Sequence, residues 1–206
     1  MILTAEVGKF NIVNTYFYID DETRHGFLID PGDEADKILK ICAENNFTIE
    51  KILLTHGHYD HIGAVNQIQY ALNIPAVMNV NGKIYAENPK WNCSIYLGGE
   101  IKLGNVTFLD DGAEIILNAN KNFGVKMIHT PGHTLDGVIY YSAKDKVAFV
   151  GDTIFKNSYG RYDLPGGDMQ TLFNSIRTKI LTLPADTILL SGHTPPTTVD
   201  AEKIFF

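Results

Sequence analysis

Thiol chemistry has little to work with in this chain. Its two cysteines, Cys42 and Cys93, stand alone without Cys-x-x-Cys spacing, which excludes a disulfide scaffold and a thiolate zinc knuckle. Basic residues are also in deficit: 17 Lys and Arg face 24 Asp and Glu, a formal net charge of −7. That balance argues against a non-specific nucleic-acid binder, whose affinity rests on clustered cations. No apolar run approaches the ~18 residues that span a bilayer. The start, Met1 to Asp20, lacks the basic segment, long apolar core and small-residue cleavage site of a signal peptide. Together these absences predict a cytoplasmic protein with neither a membrane nor a nucleic-acid partner.

What the chain does have is material for a core: 45% of its 206 residues are hydrophobic and 20% charged. Val13 to Tyr18 and Gly26 to Ile29, rich in aromatic and β-branched residues, read as early strands. Ala35, Ile38, Leu39, Ile41 and Cys42 recur at helical spacing, which predicts a helix over 34–45. A strand follows at 51–54, then a helix that begins inside residues 55–61 and stops before Pro75. Strands are expected at 76–80, 106–109, 114–117, 125–128, 138–141, 147–150 and 187–190, with a helix over 168–183 and a helical turn plus loop over 81–105. There is no repeat, low-complexity tract or linker, so 1–206 reads as a single domain of the α/β sandwich class.

Chemistry concentrates where apolar strands end. Lys51 to Leu54 runs into Thr55-His56-Gly57-His58-Tyr59-Asp60-His61, four ligand-type residues within six positions. Three further strands end in the same manner, at His129-Thr130-Pro131-Gly132-His133, at Gly151-Asp152-Thr153 and at Ser191-Gly192-His193. Loops at the ends of buried strands are where rigid scaffolds place functional groups. Imidazoles with carboxylates suit zinc, and also iron or manganese. His56, His58 and His133 make a three-histidine set with an open position, as catalytic zinc requires. Asp60, His61 and His193 make a second set, with Asp152 between the two ions. A lone His-x-His is usually meaningless and a lone Gly-Asp-Thr is usually a turn. The four-segment pattern is not explained by solubility. His25 and His129 read as ordinary histidines, and Cys42 and Cys93 as small core or surface residues.

These motifs resemble the metallo-β-lactamase superfamily: Thr55 to His61, Thr130 to Thr134, Gly151 to Thr153 and Gly192-His193 match in order over nearly the whole chain. Asp30-Pro31-Gly32 is similar to the family's Asp-Pro-Gly turn, whose Asp supports the metal loops from behind. The resemblance implies a four-layer αβ/βα sandwich, two mixed β-sheets flanked by helices, with the site at one edge between the sheets. Within the family, the run from Phe155 to Asp168 resembles the short glyoxalase II-like hydrolases. That implies His56, His58 and His133 on one divalent ion, Asp60, His61 and His193 on another, and Asp152 shared. Asp60 would also orient the water, and Arg161 would contact a substrate carboxylate. Pro195 stands where the family has a glutathione-contacting tyrosine, Asp163 replaces an aromatic residue, and 13 residues follow His193 where full-length members carry a helical domain. Glutathione specificity is therefore not implied.

Two divalent ions against two aspartates and one hydroxide leave a residual positive charge suited to a tetrahedral oxyanion. Water on such an ion has its pKa lowered to about 7. A thiolate, whose parent thiol has a pKa of about 8.5, leaves with little protonation, whereas an amine wants a general acid. The expected activity is metal-dependent thioester hydrolysis of a small hydroxyacyl-thiol. The alternatives are a mononuclear-iron persulfide dioxygenase using His56, His133 and Asp152, or a lactonase or esterase.

Overall fold

A computed structural model describes residues 1–9, 11–97 and 99–206. In chain order the strands are β1 (Ile2–Val7), β2 (Val13–Ile19), β3 (His25–Ile29), β4 (Thr48–Leu53), β5 (Ala76–Asn79), β6 (Val106–Leu109), β7 (Glu114–Ile116), β8 (Gly124–His129), β9 (Val138–Ser142), β10 (Val147–Gly151), β11 (Ile154–Phe155), β12 (Ser158–Tyr159), β13 (Ile188–Ser191) and β14 (Thr197–Thr198). The helices are α1 (Ala35–Glu44), α2 (Tyr59–Ile62), α3 (Val65–Leu72), α4 (Lys83–Glu87), α5 (Met169–Ser175) and α6 (Val199–Glu202). One six-stranded sheet runs β1-β2-β3-β4-β5-β6 and the other β14-β13-β10-β9-β8-β7. Both are mixed, antiparallel at β1–β2–β3 and parallel across β3–β4–β5–β6 in the first, with one parallel pair, β10–β13, in the second.

The strand sequences dictate this layering. Side chains alternate between the two faces of a strand. In β2, Tyr16 and Tyr18 face the second sheet while Phe17 and Ile19 face α1 and α3, all four buried. In β10, Phe149 faces inward while Ala148 and Val150 pack with Leu172 of α5 and with Ile176 and Ile180 just beyond it. A strand buried on both faces carries a continuous apolar run. The result is helix, sheet, sheet, helix: the αβ/βα sandwich. Between the sheets, the rings of Tyr16 and Tyr18 each lie 5.4 Å from Phe149. The buried phenols are hydrogen-bonded: Tyr16 Oη donates to the Ser191 carbonyl at 2.7 Å and Tyr140 Oη to the Leu54 carbonyl at 2.9 Å. Among the described residues, no helix is long and apolar enough to cross a membrane.

The structure departs from the sequence reading in four places. The helix expected from the metal motif to Leu72 is interrupted between α2 and α3. There the Ala64 N–H donates at 3.0 Å to the Pro31 carbonyl, outside the helix ladder, and a Cβ on Gly63 would lie 2.2 Å from the Gly32 oxygen. The helix over 168–183 is α5 continued by a π segment, Ile176–Ile180. The edge strand β1 was not anticipated, because only part of it is buried. The two-residue strands β11, β12 and β14 are too short for a periodicity signal.

Candidate metal centre

Four loops meet at one edge of the sandwich, each leaving the end of a strand. The loop after β4 carries His56 and His58 and leads into α2, whose first turn holds Asp60 and His61. His133 follows β8, Asp152 follows β10 and His193 follows β13. Two glycines let these loops come together. Gly151 has φ +50°, and a Cβ there would sit 2.3 Å from Thr55 Oγ1. A Cβ on Gly192 would lie 2.4 Å from Asp152 Oδ1 and 2.6 Å from the His61 ring. Alanine at Gly192 would push against the Asp152 and His61 side chains, and alanine at Gly151 against Thr55.

All seven sequence-predicted ligand residues are brought together. His133 Nε2 lies 2.9 Å from His58 Nδ1 and 3.2 Å from His56 Nε2. Asp152 links this trio to the others: its carboxylate is 3.3 Å from His61 Nε2, 3.3 Å from His193 Nε2 and 3.8 Å from His133 Nε2. Asp60 Oδ2 is 3.4 Å from His193 Nε2. Three sets have candidate ligand atoms within 4.8 Å of one another: His56, His58 and His133; His56, His61 and Asp152; and Asp60, His61 and His193. Buried and without a hydrogen-bond partner are His58 Nε2, His61 Nε2 and Asp152 Oδ1. Buried nitrogens and oxygens left in this state cost free energy. A divalent cation with imidazole and carboxylate ligands answers that cost, so the donor set fits such ions.

The rings are oriented from behind. His61 Nδ1 is 2.9 Å from Asp30 Oδ2, His133 Nδ1 is 2.6 Å from the Arg161 carbonyl, and His193 Nδ1 is 2.7 Å from the Ile12 carbonyl. Asp30 also accepts from the Thr55 N–H at 2.8 Å and from Thr55 Oγ1 at 2.6 Å. Such partners fix which ring nitrogen faces a metal.

The cluster divides electrostatically. Burial and then mutual repulsion keep His56 well below the ordinary imidazole range, and burial with His133 nearby brings His58 down to about 3. Burial also lowers His133, against the opposing pull of Asp152. These three are neutral and ready to ligate. Burial would lower His61 too, but Asp152 and Asp30 outweigh it and push it well above the usual value. The carboxylates of Asp152 and Asp60 likewise overcome burial at His193 and raise it to about 10. Burial would raise Asp152, yet His61 and His193 hold it well below the carboxylate range. A metal in the second half must therefore displace protons, whereas the first half offers lone pairs directly.

A cleft of about 340 Å³ opens onto the cluster, lined in part by Asn11, Tyr59, Cys93, Phe155, Arg161 and Leu164. Asn11 Nδ2 donates to Tyr59 Oη at 2.6 Å and to Asp60 Oδ2 at 3.1 Å. The sequence reading missed Asn11 and Tyr59, and it took Cys93 as an ordinary small residue. Cys93 instead lines the cleft, in a left-handed backbone conformation (φ 66°), with its thiol raised by burial. Arg161 lines the cleft as well, but its guanidinium is held by Asp163 through two bonds of 2.7 and 2.9 Å. The Arg161 atom tied to the cluster is its carbonyl. His25 and His129 lie apart, on Glu50 and on the Leu135 carbonyl.

The family model described as metallo-beta-lactamase superfamily matches residues 8–193. The chain belongs to that superfamily. It is 35% identical to a protein named probable metallo-hydrolase YqgX of Bacillus subtilis over 92% of this chain and 89% of the relative. It is 34% identical to hydroxyacylglutathione hydrolase GloC of Haemophilus influenzae, over 89% of this chain and 86% of that one. Among solved structures, BLEG-1 B3 metallo-beta-lactamase superposes with a TM-score of 0.92 at 35% identity, covering 99% of this chain and 97% of its own. TTHA1623 in a di-iron-bound form gives 0.86 at 33% identity, with 98% and 96% covered.

Proposed function

We propose that this superfamily member is a metal-dependent hydrolase of small acyl-thiols, acting as one domain over 1–206. The observation that carries the reading is the pair of ligand sets joined through Asp152, set at the floor of a small cleft. In this reading His56, His58 and His133 hold one divalent ion, Asp60, His61 and His193 a second, and Asp152 bridges. We assign zinc, with iron or manganese as the alternatives that the donor set accepts. When bound, the pair supplies a nucleophilic hydroxide near neutral pH and polarises the substrate carbonyl. Asp60 orients the nucleophile, itself held by Asn11. Arg161 exchanges Asp163 for a substrate carboxylate at the rim.

What lines the cleft supports a thiolate as the leaving group. Tyr59 and Cys93 are the non-ligand acids there, and burial raises both. A group with a raised pKa is a weak proton donor to a departing amine at neutral pH. A thiolate needs no such donor. The relative named hydroxyacylglutathione hydrolase supports the same class. The test is a panel of thioesters, esters, lactones and lactams on protein of measured metal content. Thiol release that tracks two ions per chain and stops with a chelator is expected. One iron per chain with oxygen consumption would replace hydrolysis by persulfide oxidation. Lactone turnover without thiol release would move the substrate class.

A further inference from the structure

Behind the loop that carries His56 and His58 lies a second buried carboxyl, unused by the chemistry above. Asp136 sits between β8 and β9 and is 1% exposed. Neither of its oxygens has a hydrogen-bond partner, and the adjacent buried Thr134 Oγ1 has none either. The Thr134 hydroxyl and the Gly57 N–H face the carboxyl without offsetting its burial. On the opposite side stands the turn Val80–Gly82, where a Cβ on Gly82 would lie 3.1 Å from Asp136 Oδ2. The backbone is pinned on both sides. The Leu135 N–H donates to Tyr85 Oη at 3.0 Å, and the Gly137 carbonyl accepts from the Thr130 N–H at 2.7 Å.

Burying a carboxyl with neither a cation nor a full set of donors is costly, and an apolar residue in its place is often neutral or stabilising. Packing alone gives no reason for Asp at this position. Its place gives one, because Gly57 is the residue between His56 and His58. We infer that Asp136 is a positioning residue of the metal centre, its carboxylate facing the Gly57 N–H and placing negative charge behind the His56–His58 loop. The inference rests on the dinuclear reading above. It concerns affinity for the ions, while the ligands remain those already named.

The test uses the full chain, stripped of metal and titrated with zinc in mildly alkaline buffer, where the carboxyl is ionised, against a chromophoric chelator, and separately loaded with cobalt(II) for its visible spectrum. Asp136→Asn keeps the shape and one acceptor but removes the charge; Asp136→Ala removes both. The expected result is about a tenfold loss of zinc affinity for Asn and a larger loss for Ala, the range seen when groups behind metal ligands are removed. Shifted cobalt bands should accompany that loss, with metal-free thermal stability unchanged or raised. Unchanged affinity and cobalt bands in both variants would overturn the inference. If Ala loses affinity only together with metal-free stability, Asn decides: weaker binding at unchanged stability supports the role, and wild-type binding refutes it. Failure of the dinuclear reading looks different, since the wild-type chain itself would then take up fewer than two zinc ions.

Discussion

Asp30 and Asp136 are two buried aspartates behind the same metal loop, and they are treated in opposite ways. Asp30 is 2% exposed and accepts from the Thr55 N–H and hydroxyl while facing His61 Nδ1. Asp136 is buried as deeply and has no partner. Both carboxyls back the strand-end loop from Thr55 to His61. One is a fully satisfied network that fixes the loop and the His61 ring together. The other is a charge that the fold tolerates. The contrast teaches that burial by itself says nothing about what a polar residue contributes; the partner count decides the sign.

The largest expected effect separates the two directly. Asp30→Ala leaves two Thr55 donors and His61 Nδ1 unpaired in the interior. Breaking a buried network from one side costs about 3–5 kcal/mol. Asp136→Ala should cost nothing or stabilise. Urea unfolding of the metal-free proteins reads both, and a similar loss in the two variants would erase the distinction.

The next effect is a pH dependence confined to one of them. Burial, opposed by the facing Thr134 hydroxyl and the Gly57 N–H and reinforced by the charge of Asp30, raises Asp136 from 3.8 to about 7. A carboxyl whose folded pKa lies above its unfolded value binds its proton more tightly when folded. Between about pH 4 and 7 the native state then holds more protons than the unfolded chain, so stability falls as pH rises. Against Asp136→Asn, which lacks this proton, the wild type should lose stability across that window by at most about 1.4 kcal/mol per pH unit. The difference should level off above pH 7. Parallel pH curves for the two metal-free proteins would show that Asp136 carries no such shift.

The contrast also marks what was legible in the sequence. Asp30 was readable only through the resemblance of Asp30-Pro31-Gly32 to the family's Asp-Pro-Gly turn. The ligand cluster was readable because four strands end in a small residue followed by His or Asp, and strand ends converge in a layered α/β fold. The aromatic and β-branched content of Val13 to Tyr18 announced a strand, while the cover on both its faces is visible only in the structure. Asp136 follows the Thr130 to Thr134 motif by two positions and reads as a solvated loop acid; only the enclosure by Tyr85, Gly82 and Gly57 makes it unusual. Asn11 and Cys93 reach the cleft from segments with no periodicity and no motif. The helix break after Ile62 depends on a carbonyl, that of Pro31, which is distant in sequence. Tertiary proximity of this kind has no local signature.

The smallest effect probes how the satisfied aspartate is held. Thr55 gives Asp30 both its backbone N–H and its hydroxyl, and the hydroxyl lies where Gly151 approaches most closely. Thr55→Val removes one of those donors, keeps the backbone bond and puts a methyl group against the carboxylate. A hydrogen bond to a charged group contributes about 1.5–3 kcal/mol, so the metal-free protein should lose about 2 kcal/mol in urea unfolding. Thr55→Ser keeps the hydroxyl and should restore most of that loss. If valine were neutral, the 2.6 Å contact to Asp30 would contribute nothing net. Asp30 would then be held by the Thr55 N–H and His61 alone, and its advantage over Asp136 would shrink to those two partners.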